Sequence, residues 1–123
     1  MGYESRLIIV QKSDLGREGD GKRWAEVIAE LNMCCMGDGP YEKLKNESPV
    51  TDCYIYMSDG NTRIDKDAYG KELKEMELEE VLAALQEEGF EYRRIQPAYD
   101  FIKAILNSGQ WDLNRVVVLH YGY

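Results

Sequence analysis

The sequence predicts an α+β protein: a mostly antiparallel sheet of four or five strands, with two helices packed on one of its faces. Short apolar runs at residues 7–10 and 116–119 are typical of buried strands and lie near the two ends of the chain. Two helical stripes of apolar residues lie between them, at about 77–88 and from Pro97 onward. The length of 123 residues is that of one domain, so we expect residues 1–123 to form a single unit.

The first quarter of the chain predicts two strands joined by a loop. Residues 7–10 are continuously apolar and favour a strand, and residues 13–21 have turn composition with no periodic apolar face. Residues 24–36 fit a helical stripe and also a strict alternation of apolar and other residues. The alternation is unbroken over six positions, which favours a strand over a helix.

The middle of the chain predicts a hairpin. Residues 37–40 have turn composition, and residues 41–46 predict a single helical turn before Pro49. Residues 53–57 are rich in tyrosine and isoleucine, as strands are, and Asp59-Gly60 suits a tight turn. We therefore expect residues 62–64 to pair back on this strand.

Two helices and a last strand are expected in the second half. Leucine and valine recur at helical spacing over residues 77–88, and Gly89 suits the C-terminal cap. A second helix is expected from Pro97 to the breaker at residues 107–109. Residues 115–121 predict the last strand, whose apolar run indicates cover on both faces and a central place in the sheet.

Negative charge is concentrated in one segment. The net charge is −8, and residues 65–91 hold ten carboxylates against three lysines, whereas the other 96 residues hold 13 acids and 12 bases. The field of such a segment extends about a Debye length, roughly 8 Å at physiological salt. With an isoelectric point near 4.7, repulsion from phosphates disfavours direct binding to nucleic acid or anionic lipid. A basic protein is the expected partner.

Cysteine usage and hydropathy predict a cytoplasmic protein. The three cysteines, Cys34, Cys35 and Cys53, fit neither a secreted disulfide framework nor paired zinc ligands, which favours a reducing compartment. No apolar stretch approaches the roughly 20 residues of a membrane helix, and the N-terminal residues lack the apolar region of a signal peptide. We therefore expect no membrane association.

No catalytic or cofactor motif is evident. Asp65 and Asp67 have the spacing of the first two calcium-loop ligands, but Tyr69 and Met76 stand where an oxygen ligand and a bidentate glutamate are needed. His120 is the only histidine, and nothing in the sequence places it beside a cysteine. We expect a non-enzymatic protein with no catalytic residues, no metal and no cofactor.

The acidic segment has two interpretations, which the sequence leaves open. Carboxylates in the first turn of the predicted helix are favoured by its macrodipole, so the segment could serve solubility alone. The remaining acids need another cause, and a face that binds a basic partner would supply one, with tyrosines as anchors. The predicted partner-binding residues are Glu72, Glu75, Glu79, Glu80, Glu87, Glu88, Tyr54, Tyr56, Tyr121 and Tyr123.

Two other functional classes stay open beside this one. A small-molecule or nucleotide binder would have its pocket between sheet and helices, using Tyr54, Tyr56, Arg63, Arg93 and His120. A structural or homo-oligomeric accessory protein would instead bury tyrosines in a symmetric interface.

Four segments carry a family resemblance. They are residues 1–7 (MGYESRL), 21–29 (GKxxAEVIA, with x any residue), 69–73 (YGKxL) and 118–123 (VLHYGY). In these segments the chain resembles a group of small proteins encoded by bacteriophages and prophages, for which no activity or functional residue is assigned. The resemblance implies a phage context. Small acidic phage proteins are often inhibitors of host defence, anti-CRISPR proteins among them, so inhibition of a host defence or nucleic-acid-binding protein is an expectation from size and charge.

Overall fold

A computed structural model describes residues 5–13, 22–33, 40–56, 63–67, 69–91 and 94–122. The elements follow one another in an α+β order. They are β1 (Ser5–Lys12), β2 (Arg23–Asn32), α1 (Pro40–Glu47), β3 (Cys53–Tyr56), β4 (Arg63–Ile64), β5 (Lys74–Met76), α2 (Leu78–Glu88), α3 (Ile95–Ser108) and β6 (Val116–Gly122).

The six strands of the described part form one sheet in the order β4-β3-β2-β1-β6-β5. The sheet is mixed, because β2 and β3 run parallel while the other neighbours are antiparallel. The expected α+β class is confirmed and most neighbouring strands are antiparallel as expected, but the described sheet has six strands where four or five were expected. β6 lies inside the sheet between β1 and β5, one place from the edge.

A bulge in β2 explains why its sequence fits two periodicities. Ile9 pairs with Ala29 and Val10 pairs with Val27, so Ile28 is an extra residue opposite β1. Ala25 and Val27, before the bulge, pack on one face of the sheet, whereas Ile28 and Leu31 pack on the other. The segment is a strand, as the alternation favoured, but its inward face changes at the bulge.

The helices cover one face of the sheet and build the larger core. Leu7 and Ile9 of β1 and Val118 of β6 contact apolar side chains of α2 and α3 in one buried cluster. Leu44 of α1 packs against the same cluster, so three helices share this face where two were expected. At about 25 cal/mol per Å² of apolar surface removed from water, this cluster is the main source of stability.

The opposite face of the sheet is also buried. Ile8 and Val10 of β1 and Leu119 of β6 pack against Ile55 of β3 and against Leu73, which precedes β5. Successive residues of β1 and β6 therefore enter opposite cores, and this is why both strands read as unbroken apolar runs. The predicted cover on both sides of the last strand is present.

Three elements differ from expectation. β5 was not predicted, because its three residues include only one apolar side chain. α1 is eight residues long, beyond the single turn expected. α3 begins at Ile95, two residues before Pro97, because a proline in the first helical turn sacrifices no intrahelical hydrogen bond. Of the turn predicted at residues 37–40, residue 40 begins α1 and residues 37–39 lie outside the described residues, as does the turn predicted at residues 59–60.

Candidate functional site

One end of the sheet gathers several charged side chains with tertiary partners. The C-terminal ends of β1 and β5 and the N-terminal ends of β2 and β6 meet there, because the neighbouring pairs β2-β1, β1-β6 and β6-β5 are antiparallel. Two grooves open at this end, and Lys12 and Arg115 line both. We call the larger the aromatic groove, about 640 Å³, and the smaller the charged groove, about 380 Å³.

Lys12 is the centre of an ion cluster between the grooves. Its Nζ donates hydrogen bonds to Asp52 Oδ1 at 2.8 Å and to Glu75 Oε1 at 2.8 Å, and only 8% of the residue is exposed. Arg23 Nε lies 3.3 Å from the second Asp52 oxygen. Thr51 Oγ1 donates to Glu75 Oε2 at 2.8 Å. These contacts join β1, β2, β5 and the segment before β3.

The pKa values of Lys12 in the cluster and of the neighbouring Cys53 are both raised. Burial alone would lower the pKa of Lys12, but the hydrogen bonds to Asp52 and Glu75 outweigh burial and raise that pKa above its ordinary 10.5. Burial raises the pKa of the neighbouring Cys53 thiol, whose sulfur lies 2.9 Å from Thr51 Oγ1. A protonated amine and a protonated thiol are poor nucleophiles, so the cluster is suited to fixing strand ends rather than to covalent chemistry.

Aromatic rings that contact one another at tilted and edge-to-face angles lie beside the aromatic groove. Trp24 of β2 and Tyr56 of β3 have ring centroids 4.6 Å apart, and Trp24 is 41% exposed. The ring of Tyr54 lies 5.5 Å from Trp24 and 6.3 Å from Tyr56. The guanidinium carbon of Arg63 sits 4.5 Å from the centroid of Tyr54. The three rings from β2 and β3 thus form one aromatic row, and Arg63 of β4 is a cation that already contacts it.

The solvent side of α2 carries exposed carboxylates. Leu78, Val81 and Leu85 turn inward, and at 100° per residue this directs Glu79, Glu80 and Glu87 toward solvent. We call these three the acidic face. None of them forms an ion pair with any described residue, and Glu80, with Glu77 before the helix, also lines the charged groove.

The other predicted acidic residues lie elsewhere. Glu75 is in the ion cluster, where Lys12 neutralises it. Glu88 is half-buried and engaged by a neighbour, on the inward side of α2. Glu72 is exposed in the segment before β5, where its backbone bridges to Lys66. The predicted set of six therefore divides between the acidic face and three separate environments.

Two of the three predicted tyrosine anchors that lie in the described residues are buried. Tyr54 is 2% exposed and Tyr121 is 9% exposed, so neither ring is available to a partner in this structure. Tyr56 is half-buried in the aromatic groove, and Tyr123 lies outside the described residues. The expectation that Tyr54 and Tyr56 share one strand face agrees with their geometry.

The residues of the small-molecule alternative are only partly brought together. Tyr54, Tyr56 and Arg63 adjoin one another in the aromatic row. His120 is on β6 with its Nε2 3.4 Å from Ser5 Oγ, away from both grooves, and Arg93 lies outside the described residues. The aromatic groove opens at the end of the sheet, not between the sheet and the helices.

The calcium-like spacing has a local explanation. Lys22 pairs with Asp65, and Asp67 Oδ1 accepts hydrogen bonds from the backbone N–H groups of Tyr69 and Lys71 at 2.8 and 2.9 Å. Asp67 therefore stabilises a turn. Within the described ranges, no three His, Cys, Asp or Glu side chains are grouped as a metal site would require. No helix among the described residues has the length and apolarity needed to cross a membrane.

Sequence reasoning missed Lys12, Arg115, Trp24 and Glu26 as residues of this end of the sheet. The burial of Lys12 could have been found from the sequence. Lys12 is two residues after Val10 and four after Ile8, so its side chain lies on the same face of β1, opposite the helices. The partners of Lys12 lie 40 and 63 positions away, and no local pattern connects them.

Comparison with known proteins gives no relative. No protein-family model, no curated protein and no solved structure matches this chain.

Proposed function

We propose that this protein is a non-enzymatic interaction protein that binds a basic surface of another protein through the acidic face of α2. The observation that carries the proposal is the contrast between its carboxylates. Asp52, Glu75 and Asp65 are each paired with a lysine or arginine of the chain. Glu79, Glu80 and Glu87 are exposed and form no ion pair with any described residue. Such a face is electrostatically complementary to a cationic partner.

The position of the acidic face supports the same proposal. Glu80 belongs to the acidic face and to the wall of the charged groove, which Glu77 also lines. A basic side chain that approaches α2 therefore meets further carboxylates at the helix N-terminus. Glu79 and Glu80 in the first turn are favoured by the helix dipole, whereas Glu87 in the last turn is mildly disfavoured by it.

The number of charges on the acidic face limits how closely it could imitate duplex DNA. α2 has 11 residues and is about 16 Å long, a length over which duplex DNA presents roughly ten charges. Three carboxylates are too few for imitation of DNA by α2 alone. Recognition of a basic patch by charge and shape is the simpler account. Inhibition of a host defence or nucleic-acid-binding protein in a phage context stays a prediction within this proposal.

The experiment compares two variants that remove equal charge. E79Q/E80Q/E87Q neutralises the acidic face, and E30Q/E47Q/D100N neutralises three exposed carboxylates on β2, α1 and α3. Tagged wild-type protein and both variants are used to capture proteins from host lysate at about 50 mM and about 500 mM salt, where the Debye length falls from roughly 14 to 4 Å. The captured partner is then identified, purified and titrated against all three proteins.

We expect wild type and the control variant to retain the same basic partner at low salt. The acidic-face variant should bind that partner at least about tenfold more weakly, and affinity should fall with salt. Equal affinity of the acidic-face variant and wild type, or affinity unchanged between the two salt concentrations, would overturn the proposal.

A further inference from the structure

We propose that the aromatic groove is a binding site for a guanidinium group, presented as an arginine side chain of the basic partner. This inference rests on the proposed function for the identity of the partner, but its geometry is separate from α2. Six of the side chains that line the groove bear on its chemistry: Gln11, Lys12, Trp24, Glu26, Tyr56 and Arg115. At about 640 Å³ it is large enough for a long side chain together with neighbouring peptide backbone.

The rings supply the first part of the argument. Trp24 is 41% exposed and its ring lies 4.6 Å from that of Tyr56 at an angle of 52°. Tryptophan offers the strongest aromatic face to a cation, and arginine is the cation that stacks on such faces most often. An exposed indole beside a phenol is therefore a surface to which a guanidinium is attracted.

An arginine of the protein already contacts one ring of this aromatic row. Arg63 places its guanidinium carbon 4.5 Å from the centroid of Tyr54, the ring next to Trp24 and Tyr56. Tyr54 is almost fully buried. The half-exposed end of the row at Trp24 offers an incoming arginine the same kind of contact.

Glu26 supplies the charge. Trp24 and Glu26 are two residues apart on β2, so their side chains share one face of the strand. Glu26 is exposed, lines the groove, and forms no ion pair with any described residue. A carboxylate beside two rings is the combination that recognises a guanidinium through a charge-assisted hydrogen bond and stacking.

Lys12 and Arg115 do not make the groove an anion site. Lys12 Nζ is engaged by Asp52 and Glu75, and Arg115 Nε donates to Asp112 Oδ2 at 3.0 Å. Arg115 Nη1 also donates to the backbone oxygen of Lys12 at 2.9 Å. An anionic ligand would have to displace these contacts. Lys12 and Arg115 are thus each paired with a carboxylate of the protein, whereas Glu26 forms no ion pair with any described residue.

The test uses capped single amino acids as probes of the groove. N-acetyl-arginine amide, its uncharged analogue N-acetyl-citrulline amide and N-acetyl-aspartate amide are titrated into the full-length protein, followed by NMR of the tryptophan indole N–H and backbone amides. W24F assigns the two indole signals. We expect the arginine probe to shift the Trp24 indole and the amides of Gln11 and Ala25, and the other two probes to leave them unchanged.

Two matched variants on one strand localise the effect. E26Q should weaken binding of the arginine probe about three- to tenfold. E30Q, four residues further along β2 and outside the groove, should stay within about twofold of wild type. Both residues are exposed, so both variants should fold. Tetramethylammonium distinguishes a groove for any small organic cation, since equal shifts from it and the arginine probe would overturn the guanidinium assignment.

Other outcomes also overturn the inference. These are equal shifts from the arginine and citrulline probes, binding of the aspartate probe instead, or no shift of Trp24 at the solubility limit of the arginine probe. The acidic-face variant E79Q/E80Q/E87Q should bind the arginine probe as wild type does. Loss of probe binding in E26Q with partner binding intact would overturn the assignment of the guanidinium to the partner, whereas failure of the acidic face to bind a partner would leave the probe result unchanged.

Discussion

Lys12 Nζ lies 2.8 Å from Glu75 Oε1, although the two residues are 63 positions apart in the chain. This contact ties the end of β1 to β5, two strands that are not neighbours because β6 lies between them. Lys12 completes the arrangement by donating to Asp52, and only one tenth of its side chain is exposed. The ion cluster is therefore a tertiary crosslink across one end of the sheet.

Removal of the lysine should destabilise the fold. K12M leaves Asp52 and Glu75 partly buried without their shared cation, which should cost about 2 to 4 kcal/mol of unfolding free energy. Urea denaturation followed by circular dichroism measures this loss. K43M, at an exposed lysine on α1, should change stability by no more than about 0.5 kcal/mol.

The cause of that loss in stability is tested by also neutralising Asp52 and Glu75, the two carboxylates that K12M leaves without their lysine. K12M/D52N/E75Q should regain part of the lost stability relative to K12M, because the half-buried carboxylates are then neutral. A triple variant less stable than K12M would show that the other contacts of these two carboxylates, with Arg23 and Thr51, stabilise this end of the sheet by more than the unpaired charges destabilise it.

Stability at acid pH should depend on Glu42. Its hydrogen bond from Lys45 Nζ, at 2.6 Å, lowers the pKa of Glu42 below its ordinary 4.5. A lowered pKa means that ionised Glu42 stabilises the folded state above pH 4.5, and that this contribution is lost as pH falls through the folded-state pKa. Between about pH 5 and about pH 3, wild type should lose more stability than E42Q in matched urea titrations.

Another carboxylate of the same helix provides the control for this pH dependence. Glu47 is exposed and forms no ion pair with any described residue. E47Q should follow the wild-type curve over the acid range. Parallel curves for wild type and E42Q would show that the contact between Glu42 and Lys45 contributes nothing to folding.

Much of this fold could be predicted because its signals are local. The apolar runs of β1 and β6 indicate strands that are buried on both faces of the sheet. The apolar stripe of α2 indicates a helix that packs through one side. Even the ambiguity of β2 had a physical cause, since Ile28 in the bulge moves the inward face from one side of the strand to the other. In each case, side chains a few residues apart carried the information.

What could not be predicted depends on pairing across long separations. β5 is a strand through its pairing with β6, in which Met76 lies opposite Val118. β2 and β3 are parallel, with Arg23 opposite Cys53 and Trp24 opposite Tyr54. The candidate site has the same origin. Trp24 and Tyr56 meet only when β2 and β3 are adjacent, and the partners of Lys12 come from two other segments. The burial of Tyr54 and Tyr121 was not predicted, because an alternating pattern does not indicate which face of a strand is covered.

Cys53 should be unreactive in the folded protein. It is fully buried, and burial raises the pKa of its thiol above the ordinary 9.0 despite the opposing hydrogen bond with Thr51. Since the thiolate is the reactive form, alkylation by iodoacetamide at pH 8 should be at least about tenfold slower in the native protein than in urea. Mass spectrometry of the peptide that contains Cys53 separates it from Cys34 and Cys35. Equal rates in the native protein and in urea would contradict the buried position.

The glycines that follow α2 and α3 should respond differently to substitution. Gly109 has φ 70° and ψ 4°, in the left-handed region that asparagine also tolerates, whereas Gly89 has φ 88° and ψ 166°, a conformation almost restricted to glycine. A Cβ at either position would meet no atom within 4 Å, so the backbone conformation alone sets the cost. G109A should cost about 1 kcal/mol and G109N less, while G89A and G89N should each cost about 1 to 3 kcal/mol.

Thermal and urea denaturation of the four glycine variants would measure this ranking. The comparison of asparagine with alanine is the sharpest part, because asparagine should recover stability after α3 and not after α2. If G89N were as stable as wild type, the chain after α2 would have to leave the conformation described here. Because Gly89 follows directly on the acidic face, such a variant would also show whether the end of α2 must be held in place for partner binding.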